Sequence, residues 1–275
     1  MLRQMLRGPG QTGAAASLAV IGAFAVLGSG WTQELPLDIY GVDGRESGYL
    51  FLGEDTRALQ DDEFLNPGMF AVETGRELWS RVEGEEGKSC ASCHGDAAES
   101  MRGVAARYPQ YDEDLGALIN LELRINHERT DRMKAEPYQY ESEPMLALTA
   151  FVSYQSRGMP MEVDIDGPAR EYFERGEEFY FTRRGQLDLA CSQCHNDYAG
   201  SKLRGDVISQ GHINGFPIYR LLWSAMGSRH RMFRWCNTSI RAEPYDYGSE
   251  EYLSLELYVA WRGRRLPIES PAVRR

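Results

Sequence analysis

Four of the five cysteines in this chain fall into two copies of one pattern, C-x-x-C-H: Cys90, Cys93 and His94, then Cys191, Cys194 and His195. In each copy two thiols can form thioethers and the histidine can bind iron, which is the attachment chemistry of c-type haem. A four-cysteine zinc site would set its pairs about 15–20 residues apart and would need no histidine after each pair. These motifs are 101 residues apart. A thioredoxin-like redox motif would need a βαβ pattern, and none is legible. The expectation is two covalently bound haem c groups, with His94 and His195 as proximal ligands.

Cys236 is the one cysteine those motifs do not explain, and it is a candidate second axial ligand for the C-terminal iron. The competing reading is a buried, inert thiol. From Val207 to Ala242 there is no Asp or Glu, yet the stretch holds Arg220, Arg229, Arg231, Arg234 and Arg241. Such a run predicts a positive pocket around Cys236, able to lower the thiol pKa and attract a small dianion. Some of these arginines are also expected to hold haem propionates. Counting back 107 residues from Cys236 gives Arg129, so the first motif has no equivalent thiol. His127 is the nominated distal ligand there, with Met133 as the alternative. His212 and His230 read as propionate contacts or surface residues.

The elements that must position these groups occur twice. Gly75–Trp79 aligns with Gly176–Tyr180 at an offset of 101, and Ala135–Tyr140 aligns with Ala242–Tyr247 at an offset of 107. Two tandem cytochrome c-type domains follow, over 31–160 and 169–275, with long loops and the polar segment 161–168 (MEVDIDGP) as the join. The fold class expected is all-α. A short amphipathic helix over 73–81 precedes the first haem motif. Met145, Leu148 and Val152, then Tyr252, Leu255 and Val259, fall at helical spacing near the end of each copy.

Residues 1–30 read as a cleaved signal peptide: Arg3 and Arg7 precede an apolar run from Ala14 to Leu27. A retained anchor is the rival reading. Haem attachment outside the cytoplasm agrees with export, and the periplasm is the compartment expected. The chain carries a formal net charge of −11, becoming −13 once the two leader arginines are removed. That acidity argues against nucleic acid and anionic membrane as partners.

With these residues in view, the chain resembles the SoxA family, the dihaem subunit of the SoxAX cytochrome complex. The resemblance is carried by Asn66–Met69, both haem motifs, Leu203–Asp206, Ser209–Gly211, Asn214–Pro217, Cys236–Asn237, Arg241–Pro244 and Trp261–Gly263. It implies an L-cysteine S-thiosulfotransferase that joins thiosulfate oxidatively to a cysteine of the carrier SoxYZ and passes two electrons to c-type haem. The monohaem cytochrome SoxX is the implied partner. Cys236 is implied as ligand of the second haem and possible persulfide. The family pattern implies a substrate-binding arginine four residues before that cysteine. This chain has Met232 there, flanked by Arg231 and Arg234, to which the role is assigned. Two rival readings stay open: a dihaem electron-transfer protein, and a dihaem enzyme such as a peroxidase or a tetrathionate-forming thiosulfate dehydrogenase.

Overall fold

The computed structural model describes residues 37–275. The expected signal peptide therefore lies outside the described residues. Helices run over α1 (Glu54–Asp61), α2 (Met69–Ser80), α3 (Cys90–His94), α4 (Ala97–Ser100), α5 (Leu121–His127), α6 (Glu143–Tyr154), α7 (Ala169–Phe181), α8 (Arg229–Ser239) and α9 (Glu250–Arg262). The strands are β1 (Gly41–Val42), β2 (Arg45–Glu46), β3 (Gln110–Asp112), β4 (Ala117–Ile119), β5 (Lys202–Leu203), β6 (Asp206–Val207), β7 (Ile218–Arg220), β8 (Ala225–Gly227) and β9 (Ala272–Arg274). Helix dominates, but an all-α class has to be corrected to mostly helical with small sheets. Strands of two or three residues are too short for a period-two signal to show in the sequence.

Two helix pairs build the core, α2 against α6 and α7 against α9. Met145, Leu148 and Val152 on α6 are buried, as are Tyr252, Leu255 and Val259 on α9, in agreement with the helical spacing. Each crossing is close because a glycine sits at it. A Cβ on Gly75 would collide with the Ala147 carbonyl and lie 2.5 Å from Phe151 Cβ. A Cβ on Gly176 would collide with the Ser254 carbonyl and lie 2.9 Å from Tyr258 Cβ. Those are corresponding residues at the offsets of 101 and 107, so the duplication is preserved in the packing.

The halves meet through their own equivalents. Pro160 pairs with Pro267 in an antiparallel bridge, flanked by Met161 N donating to Leu266 O and Ile268 N donating to Met159 O, both 2.8 Å. Tyr140 stacks on Tyr247, its counterpart, with ring centroids 5.4 Å apart. The last strand is tied to earlier segments as well. β9 lies parallel to β7, and Gln60 Oε1 accepts from Val273 N at 3.0 Å. Asn66 donates to the Pro271 carbonyl at 2.9 Å while its Oδ1 accepts from Gly68 N, which gives the Asn66–Met69 motif a structural role. No helix among the described residues is long and apolar enough to cross a membrane.

Candidate haem and thiol site

The first motif forms α3, whose N-terminus is closed by Ser89 and Ser92 bonding reciprocally. Trp79 Nε1 donates to Gly95 O at 3.0 Å, and its ring centroid lies 5.8 Å from that of His94. In the second copy Tyr180 donates to Asn196 Oδ1 at 2.9 Å, the corresponding pair of positions. An aromatic from the preceding helix thus fixes the turn after each histidine.

His195 is oriented from behind. Its Nδ1 lies 2.8 Å from Ser209 O, so Nδ1 carries the proton and Nε2 is left with its lone pair for a metal. Burial holds the ring below the ordinary histidine pKa and so keeps it neutral. Gly211 makes room: a Cβ there would lie 2.7 Å from His195 Cγ, and its φ of +75° disfavours other residues. The donor set, its tautomer and the adjacent thiols fit covalent haem at this motif.

Cys236 lies on α8 among the second pair of thiols: the Cys236 pKa is pushed up by burial and further by Cys194, while that of Cys191 is raised by burial and then by Cys236. The three thiols therefore lie close enough to act on one another, with His195 next to Cys194 in the chain. The pKa result departs from the expectation of a lowered thiol. Burial takes Cys236 up to about 11, and Arg220 is the one arginine that opposes it.

The arginine run is not a bare positive patch, because its acids come from distant parts of the chain. Arg229 is buried against Glu256 at 3.5 Å. Arg231 faces Glu141 at 3.7 Å, donates to Met226 O, and lies over the Trp223 ring. Arg234 donates to Tyr245 O and covers the Tyr247 ring. Arg241 is exposed. Arg220 stands 3.7 Å from Asp206, lies over both Trp223 and Trp235, and has Nη1 3.3 Å from Met232 Sδ. The structure thus brings Arg220, rather than Arg231 or Arg234, to the thiol, beside the side chain four residues before it. No spacing rule could single it out from sixteen residues away.

At the first site Arg129 takes the place equivalent to Cys236. It is buried, paired with Glu83 and 3.4 Å from the Tyr138 ring centroid. Its charge acts on Cys90, whose pKa is nevertheless raised by burial. His127 ends α5 half-buried, its ring making no hydrogen bond among the described residues, whereas Met133 is buried. His230 is neither a surface residue nor a free propionate contact. It is fully buried, with Nε2 3.0 Å from Glu256 and Nδ1 accepting from Gly248 N. His212 is also buried, bonded to Gln210 at 2.9 Å. Glu256 reaches His230 from 26 residues away, which no local pattern shows, whereas Gln210 lies only two residues before His212.

Residues 74–161 match the family described as SoxA/TsdA, cytochrome c domain. Over 83% of its length the chain is 48% identical to the L-cysteine S-thiosulfotransferase subunit SoxA of Pseudaminobacter salicylatoxidans, of which 80% is covered. It is 47% identical to the protein of that name from Rhodovulum sulfidophilum, over 84% of this chain and 81% of the relative. Among solved structures it is similar to a chain of SoxXA from P. pantotrophus, with a TM-score of 0.81 and 44% identity over 84% of this chain and 87% of that one.

Proposed function

The chain belongs to the SoxA family of L-cysteine S-thiosulfotransferase subunits, and on that premise we propose that it joins thiosulfate oxidatively to a cysteine thiol of the carrier SoxYZ. The observation that carries this reading is Cys236 buried within electrostatic reach of Cys191, Cys194 and Arg220. The proposed setting is the periplasm, after removal of residues 1–30, with SoxX as the partner subunit.

Each repeat is proposed to hold one haem c, over 31–160 and 169–275 with 161–168 between them. Cys90, Cys93, Cys191 and Cys194 supply the thioethers, and His94 and His195 the proximal nitrogens. Cys236 would also hold the iron of the second haem, and His127 that of the first. When bound, the haems take up electrons one at a time and their iron holds soft sulfur ligands.

Arg220 meets the sulfonate end of thiosulfate and turns its outer sulfur toward Cys236 Sγ. An S–S bond forms there and the thiol proton leaves to solvent; the haem, when bound, would supply the acceptor for the two electrons released. The carrier thiol then attacks the outer sulfur, giving the cysteine S-thiosulfonate and returning Cys236 with a proton. In sum, one thiol and thiosulfate yield the S-thiosulfonate, one proton and two electrons. Trp223 and Trp235 flank Arg220 and limit its hydration, which strengthens its hold on an anion. A persulfide at Cys236 would carry out the same sequence one sulfur further out. Arg231 and Arg234 keep a proposed supporting part, fixing α8 through Met226 O and Tyr245 O.

Cys236→Ala is expected to keep both covalent haems by intact mass and pyridine haemochrome, and to lose thiosulfate conjugation, read as the mass of the carrier's cysteine peptide. Full conjugation by this variant would remove Cys236 from the mechanism.

A further inference from the structure

Beside His195 lies an open cleft of about 360 Å³, lined by Arg45, Arg262, Arg264, His212 and Trp261, with Asp43 as its one acid. Cys191, Cys194 and Cys236 do not line it; the Ser209–His212 loop behind the imidazole does, through Gln210 and His212. His195 itself is part of the lining, so the cleft adjoins the thiol site without including any of its three sulfurs. We propose that this cleft is a binding site for a small oxyanion, lying on the Nδ1 side of the proximal histidine.

Three observations carry the assignment. The first is uncompensated charge in an acidic chain. Arg262 spends its donors on Gln210 O and Asn196 Oδ1, and Arg264 donates to Trp261 O and lies 4.0 Å from that ring's centroid. Neither has a carboxylate partner among the described residues. Asp43 is shared between Arg45, at 3.5 Å, and Arg265. Three guanidinium groups thus face one carboxylate that is already divided.

The second is mutual repulsion. Arg45 acts against Arg264, and Arg262 and Arg45 both act against His212, whose pKa burial and these charges push down to about 3. An anion placed among them would relieve every one of these contacts. The third is unused hydrogen-bonding capacity. Arg45 Nη1, 3.5 Å from Asp43, is a buried donor left without a hydrogen bond. Buried donors normally find partners, and an oxyanion in the cleft would accept from this one. The anion can come from solution as a free sulfur oxyanion, or from the attached haem as a propionate carboxylate.

The test is calorimetric titration of sulfate, which cannot react, into the dihaem holoprotein. Three proteins are compared: wild type, an Arg45→Gln/Arg264→Gln double variant, and Arg220→Gln. Saturable binding by wild type and by Arg220→Gln, weakened at least tenfold in the double variant, supports the site with a free ion as occupant. No sulfate binding by wild type, together with a shifted propionate bending band in the resonance Raman spectrum of the double variant, supports the site with the haem carboxylate as occupant. Sulfate binding lost in Arg220→Gln but kept in the double variant would place the anion at the thiol and overturn the proposal. So would neither a calorimetric nor a Raman change. None of these readouts requires the conjugation reaction, so failure here leaves the proposed function standing, and the converse holds.

Discussion

At the scale of single residues, the proposed substrate contact, Arg220, reaches Cys236 from outside the helix that carries the thiol. Met232 carries no charge, but its sulfur lies 3.3 Å from the Arg220 guanidinium, which acts directly on the thiol. Arg220→Gln is expected to raise the thiosulfate KM roughly 10- to 100-fold, the value of a charged hydrogen bond, with little change in haem content. Steady-state kinetics with the carrier would check it, and an unchanged KM would return the role to Arg231 or Arg234. Both haem motifs and the odd cysteine were legible because each is a short pattern of rare residues. The acids answering the arginine run were not, since Asp206, Glu141 and Glu256 lie outside it and reach it only through folding. Charge counted along a chain misses neutralisation across space.

At the scale of elements, the repeat was legible as two offsets, and the structure gives those offsets a cause. Gly75 and Gly176 each let a helix approach the backbone of its partner, so the same crossing is built twice from different side chains. Gly176→Ala should push α7 from α9 and cost about 3 kcal/mol, the upper end for overpacking; Gly75→Ala should do the same to α2 and α6. Thermal unfolding of the holoprotein checks both, and a melting point within a degree of wild type would contradict the crossing geometry. Helix α2 begins at Met69, ahead of the expected start at residue 73, because Asn66 turns the chain and fixes Gly68. The ordering of Ser209–Gly211 around His195 could not be read from composition. Only a positive φ and a close ring reveal why glycine stands there.

At the scale of the whole molecule, the halves enclose a polar nest of Asn120, Glu122, Arg229, His230 and Glu256, all buried. Asn120 donates to Glu256 at 3.0 Å across the halves. Burial, then Glu256, pushes the Glu122 carboxyl up to about 7, and its Oε2 has no partner. Glu256 is held low by Arg229 and His230 against the same burial. A raised folded-state pKa means Glu122 adds stability below its unfolded value and loses it as pH rises through about 7. Glu122→Gln should therefore match wild type near pH 5 and exceed it near pH 8 by on the order of 2 kcal/mol. Melting curves across that range decide it; a constant difference would show that Glu122 does not titrate there. The bridge of Pro160 with Pro267 and the stacked Tyr140 and Tyr247 have a mechanical corollary. Cohesion between the repeats comes from a self-matching seam, and the peptide running through Asp164–Gly167, exposed apart from Ile165, adds a covalent tether. Were that tether severed, the two pieces would still travel as one particle.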